Sequence, residues 1–346
     1  MVQTPAARPT AGCVSAAELA ALPIRQQLAQ LLMVGVDPSG SAQAQDVVAQ
    51  GVGGIFVGGD ATGLLTGGAL QQLQATRLGL LVAVDEEGGR VQRIDGLDGE
   101  LPSARTMAST MTVQQVHDLA LARGLALRKY GVNVDFAPDA DVSAQPNDSV
   151  IGDRSFSARP EVVTAYAEAF ARGLREAKVL PVLKHFPGHG SSSGDSHRGA
   201  VSTPPLASLQ ARDLVPFRRL VASASAVMLG HLDVPELTEP GVPASLSPAT
   251  VALLRQGSGY AAPPFDGVVF TDDLGGMAAV TDAYDVPAAV VAAVVAGADI
   301  ALFITPSRLP AVLDGLQQAV GDKRLSAARL QDALRHVLRA KNVPLC

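Results

Sequence analysis

The chain has 346 residues, 47% of them hydrophobic and 4% aromatic, with no tryptophan and a formal net charge of −6. Such a length buries a large core, and the absence of any Lys/Arg run excludes nucleic acid as a natural partner. No apolar run approaches the ~20 residues of a membrane span, and so few aromatics exclude the long stacking cleft of an endo-acting polysaccharide enzyme in favour of a small closed pocket.

Residues 1–13, "MVQTPAARPTAGC", lack the apolar core of a signal peptide and read as a flexible tether. Short apolar runs then alternate with helical patterns. The predicted strands are 31–36, 53–58, 80–85, 133–138, 180–185, 226–231, 267–272 and 299–304. Runs apolar on both faces signify parallel strands covered on both sides. Helical patterns occupy 113–130, 160–177, 207–222 and 286–297, and Ser326 is placed as the N-cap of a last helix over 326–341. Eight strands, each followed by a helix or a long loop, predict a single (β/α)₈ barrel of the TIM type, with an open doubly wound sheet as the alternative. No interior linker is visible, so residues 14–346 form one expected domain.

Several predicted strands end in Asp85, Lys184 with His185, His231 and Asp272. In this fold such ends converge on one mouth, where active sites lie. The segment "LKHFPGHGSSSGDSHRGA" (183–200) holds three of the six histidines. His185 and His189 have the i, i+4 spacing of helical zinc ligands, but the intervening "FPG" breaks any helix. A metal-dependent barrel hydrolase stays open as an alternative, although "VGVDPSG" after the first strand supplies no further histidine. Asp195 and His197, two apart on a loop, form a second candidate: a carboxylate that fixes an imidazole which both gives and takes a proton near neutral pH. His189, Glu86 and Glu87 are expected to shape their loops, and Asp135 and Asp139 to be structural. His117 and His336, in helical stretches, are expected to be surface or satisfied residues.

The blocks "DEEGGRVQR" (85–93), "VIGDRSF" (150–156), "KHFPGHG" (184–190), "GDSH" (194–197) and "VVFTDDL" (268–274) resemble, in order and spacing, the NagZ-like β-N-acetylglucosaminidases of glycoside hydrolase family 3. The resemblance covers nearly the whole chain from about residue 23. It implies a retaining, exo-acting enzyme that removes terminal β-linked GlcNAc from peptidoglycan-derived fragments such as GlcNAc-MurNAc. Asp272 matches the nucleophile, and His197, oriented by Asp195, the general acid/base. Asp85, Arg93, Arg154, Lys184 and His185 match positions that hold the sugar, with His231 in a supporting pocket role. No metal or other cofactor is implied. Strand alternation places Val268, Phe270 and Asp272 on one face, which favours Asp272 over Asp273. A neutral imidazole repels an anionic acceptor less than a glutamate does, so a phosphorylase with the same dyad is a further alternative.

Where family members often have Ser-Met after "DDL" this chain has "GGM", and Gly275 and Gly276 are expected to loosen that loop. The "SSSG" run is expected to make the His197 loop mobile. The chain is expected to act as a monomer on a small-molecule substrate. It looks closest to actinobacterial NagZ-like envelope lipoproteins, which implies an extracytoplasmic location with any signal and lipid-bearing cysteine upstream of this sequence. Spacing alone leaves Cys13 and Cys346 evenly balanced between free thiols and a bridge. The extracytoplasmic resemblance adds the weight for a Cys13–Cys346 disulfide.

Overall fold

In the computed structural model, the described residues are 16–76, 79–344 and 346. The tether 1–13 lies outside them, and so does Cys13 with the pairing expected of it. The apolar runs appear as nine strand segments: β1 (Leu32–Val36), β2 (Gly54–Val57), β3 (Leu81–Val84), β4 (Val134–Asp135), β5 (Leu180–Pro181), β6 (Leu183–Phe186), β7 (Ala226–Leu229), β8 (Val268–Thr271) and β9 (Ala301–Phe303). Apart from Leu180, every residue in them is buried. This is why the runs are apolar on both faces: helices cover one side and strands face one another on the other.

All registered pairs are parallel, in two sheets ordered β5-β4-β3-β2-β1-β9 and β6-β7-β8. The single eight-stranded ring expected from the sequence is therefore divided, and the ladders define an α/β fold with two parallel sheets. The predicted fifth strand is divided into β5, paired with β4, and β6, paired with β7, with Pro181, which has no N–H to donate, at the divide. The next amide, Val182, carries the β4 ladder one rung further, to Asp135 O, and also reaches Ala137 O, at 3.0 Å each. At the other seam, β8 meets β9 through one bridge, Phe270 to Ile300.

That second seam is braced by charge. Asp299, fully buried, accepts from Arg255 Nη2 (2.5 Å), Arg329 Nη2 (2.9 Å) and Val269 N (2.9 Å), with His336 Nδ1 at 3.2 Å. The last helix, Ala327–Ala340, is thereby tied to the start of β8, and Ser326 Oγ caps it by accepting from Arg329 N. The helix expected over 207–222 is instead two, Leu206–Ala211 and Leu214–Leu220. Pro216 cannot donate to the carbonyl of Arg212, so the i→i−4 ladder fails there. One apolar core runs from Leu28 to Leu338. Between the strands Phe136 stacks on Phe56 (centroids 5.6 Å) and meets Phe270 edge-on (5.5 Å). Phe270 thus points inward, and Asp272, two residues on, leaves the strand on the same side.

Candidate active site

Asp85, Arg93, His197 and Asp272 line one cavity of about 530 Å³ at the C-terminal ends of the strands, with Phe56 and Phe136 also in its wall. Lys184, His185 and His231 are buried beneath it.

The turn after β3 is built by Glu86, whose Oε2 accepts from Arg93 N (2.6 Å) and Ile94 N (3.1 Å). Gly88 has φ 93° in this turn, and a Cβ there would sit 2.4 Å from Pro102 O, so only glycine fits. Glu87, expected merely to shape the turn, has a larger part. Its carboxylate accepts two parallel bonds from Arg154 (2.8 and 2.9 Å) and pairs with the Lys184 ammonium. Lys184 Nζ also donates to Asp85 Oδ1 at 2.7 Å. Burial opposes ionisation of Glu87, but Arg154 and Lys184 outweigh it and hold the carboxyl well below its usual range. Burial also opposes charge on Lys184, yet Asp85 and Glu87 raise its pKa. Asp85, Lys184, Glu87 and Arg154 thus form a row of four alternating charges, of which Asp85 reaches the cavity.

Asp141 is a second residue that sequence reading missed. It is fully buried and its Oδ2 accepts from His185 Nδ1 at 2.7 Å, while Oδ1 accepts from His189 N at 2.6 Å. That leaves His185 Nε2 facing Asp272, 3.9 Å from its Oδ2. The Lys184–His185 peptide is cis. Burial pushes Asp139 up, as does the Asp141 charge, well above the carboxylate range. Asp139, Asp141 and His185 also have donor atoms within 4.8 Å of one another, a spacing that suits a cation, as do Asp299, Asp332 and His336. In both groups the histidine is already bonded to a carboxylate.

Burial works to raise the Asp272 pKa, but His185, His231, the Asp273 amide and Lys184 together bring it down to about 2. Asp273 differs. Burial lifts it to about 6, and its Oδ1 is occupied by Gly275 N (2.8 Å) and Ile304 N (3.0 Å). Of the two aspartates, Asp272 carries the firm negative charge into the cavity. His231 sits behind the turn with Nε2 donating to Asp273 O (2.9 Å) and Nδ1 accepting from Ser245 Oγ (2.7 Å). Burial lowers its pKa, in keeping with a neutral ring that holds the Asp272–Asp273 backbone.

A Cβ on Gly276 would lie 2.6 Å from Asp273 Oδ2 and 2.7 Å from Ile304 Cδ1, so glycine is what lets the loop close on Asp273 and Ile304.

On its loop, His197 Nδ1 pairs with Asp195 Oδ1 at 2.8 Å, and His197 N donates to the same oxygen at 3.0 Å. The imidazole is 60% exposed. The loop is pinned beside it: His189 Nδ1 accepts from Ser192 Oγ (2.8 Å), and Ala279 N donates to Ser196 O (3.0 Å). The last bond links the loop to the short helix Ala278–Thr281 after Asp272. Burial, then His185, lowers His189 to about 4, and it structures the loop as expected. His117 and His336 are buried with carboxylate partners.

Residues 23–340 match the glycosyl hydrolase family 3 N-terminal domain. The chain is 56% identical to Beta-hexosaminidase LpqI of Mycobacterium tuberculosis over 323 residues, 90% of this chain and 83% of that one. The solved structure of M. tuberculosis LpqI superposes with a TM-score of 0.92 at 54% identity, covering 95% of this chain and 97% of that one. A glycoside hydrolase family 3 β-N-acetylglucosaminidase from Paenibacillus sp. superposes with a TM-score of 0.85 at 33% identity, covering 93% and 62%.

Proposed function

The chain belongs to glycosyl hydrolase family 3, and on that premise we propose that it is an exo-acting, retaining β-N-acetylglucosaminidase with Asp272 as nucleophile and His197 as acid/base. One observation carries the reading: an aspartate held ionised and a histidine paired with a carboxylate open onto the same cavity.

Asp272 attacks the anomeric carbon while the bond to the leaving oxygen breaks and the His197 imidazolium gives that oxygen its proton. The result is a glycosyl ester on Asp272 and a neutral imidazole. His197 then takes a proton from water, which attacks the same carbon and frees Asp272, so configuration is retained. Asp195 fixes the tautomer by accepting from Nδ1, leaving Nε2 to handle the proton. Asp85 and Arg93 bind the sugar, with Lys184, Glu87 and Arg154 fixing Asp85 from beneath. His185 lies between the nucleophile and Asp141.

A cavity of about 530 Å³ suits one terminal sugar with part of its aglycone, which supports exo action on peptidoglycan-derived fragments. In the same reading residues 14–346 are one catalytic domain acting as a monomer, outside the cytoplasmic membrane. Among the described residues no helix is long and apolar enough to cross a membrane. The two sheets act as one closed (β/α)₈ barrel, which the direct run from β5 to β6 and the Phe270–Ile300 bridge support.

The test is covalent trapping. A fluorinated GlcNAc inactivator should label a peptide through Asp272, and Asp272→Asn should abolish turnover with the fold intact. Label on Asp273, or an inverted product, overturns the assignment.

A further inference from the structure

The pole opposite the active site holds a larger cavity, of about 910 Å³. It lies where strands begin: Leu81 of β3, Leu180 of β5 and Val268 of β8 border it. Its charged lining among the described residues is Arg128, Arg175, Lys178, Arg339 and Lys341 against one carboxylate, Asp266. In a chain of net charge −6, five cations around one cavity run against the average.

The acids at this pole are already engaged. Asp266 pairs with Arg339 and with His336 Nε2 (3.1 Å), and bonds from these two groups hold it at about 2. Glu168 holds Arg175 at 2.8 Å. Arg128 and Lys178 have no ion-pair partner among the described residues, and both are exposed to solvent.

The chain path brings two further polar groups to the same wall. Lys178 and Asn342 line the cavity with φ of 64° and 55°, just beyond the helices Pro160–Glu176 and Ala327–Ala340. The left-handed turn at each helix end sets these two polar residues at the cavity wall.

Guanidinium forks and ammonium groups recognise phosphate oxygens, and a cavity of this volume takes a whole small molecule and not a bare ion. We propose that this cavity is a second binding site, for a small anionic phosphate ester, separate from the hydrolytic centre. Such an ester reaches the protein either free in solution or as a phospholipid head group.

The probes are glycerol 3-phosphate, by calorimetry at low salt, and vesicles of phosphatidylglycerol in phosphatidylcholine against phosphatidylcholine alone, by co-sedimentation. The variant is Arg128→Gln with Lys178→Gly, in which glycine keeps the left-handed turn while removing the charge. At least one probe should bind, and the variant should weaken binding by at least about tenfold while hydrolysis of a chromogenic β-GlcNAc glycoside is unchanged. Binding of glycerol 3-phosphate assigns a soluble ligand, and binding of the phosphatidylglycerol vesicles alone assigns the head group. Failure of both probes, or binding that the variant leaves unaltered, overturns the site.

Discussion

Replacing Glu87 by alanine takes away a carboxylate that two buried cations share. Glu87 is 3% exposed, as is Lys184, and Arg154 is 13% exposed. Lys184 would keep Asp85. Arg154 would keep only Val150 O at 3.2 Å and Asp139 at 4.0 Å, which burial pushes toward its protonated form. Removing one partner of a buried ion pair costs about 3–5 kcal/mol, because the other charge stays desolvated. With an unfolding entropy of about 2.1 cal/mol/K per residue, a chain of this length should lose roughly 4–7 °C in melting temperature. Glu87→Gln retains one acceptor for Arg154 and should lose less. Scanning calorimetry at neutral pH and a fixed heating rate measures both, and steady-state kinetics should show KM rising as Lys184, left with Asp85 alone, shifts the carboxylate that faces the cavity. A Glu87→Ala protein melting within about 1 °C of the parent would refute the claim that this charge row is desolvated and mutually dependent.

His197→Ala should slow glycosylation of substrates with poor leaving groups far more than those with good ones, since only the former need the acid; equal losses across a leaving-group series would leave His197 as a binder. Activity should survive exhaustive EDTA treatment, because the Asp141–His185 contact is satisfied by a hydrogen bond; loss restored by Zn²⁺ would put the metal-hydrolase reading first. Asp272 binds its proton more weakly folded, at about 2, than at the ordinary 3.8. The stability this contributes is complete above about pH 4 and disappears as pH falls toward 2. Asp272→Asn should therefore differ from the parent in urea midpoint by more at about pH 5 than at about pH 2.5, and a pH-independent difference would sink the argument.

The strands were legible because burial on both sides leaves a mark in every residue of a run. Their ends were legible too, since Asp85 and Asp272 are charges directly after apolar runs. The break at Pro181–Val182 was not, because "LPVLKH" keeps its apolar character while losing a ladder bond. Pro216 offered a signal for the broken helix, its missing N–H. Glu87 and Asp141 escaped for a different reason. The partners that define them lie 67 and 44 residues away, at Arg154 and His185, and no local pattern encodes such a pairing. Asp135 and Asp139 were read as structural and Asp141 was passed over, because the sequence does not say which of the three meets a histidine. Composition at Gly275 and Gly276 does not disclose how near they lie to Asp273 and Ile304, which the Cβ clearances show.

The bond from Ala279 N to Ser196 O bears on how this scaffold can be redesigned. The segment bearing His197 and the one following Asp272 come from distant parts of the chain, yet they share an anchor. A loop transplanted from a relative to alter leaving-group preference therefore arrives without its mooring unless residues 276–281 travel with it. The two segments are one exchangeable cassette, and chimeras should be cut at its borders, not between its halves.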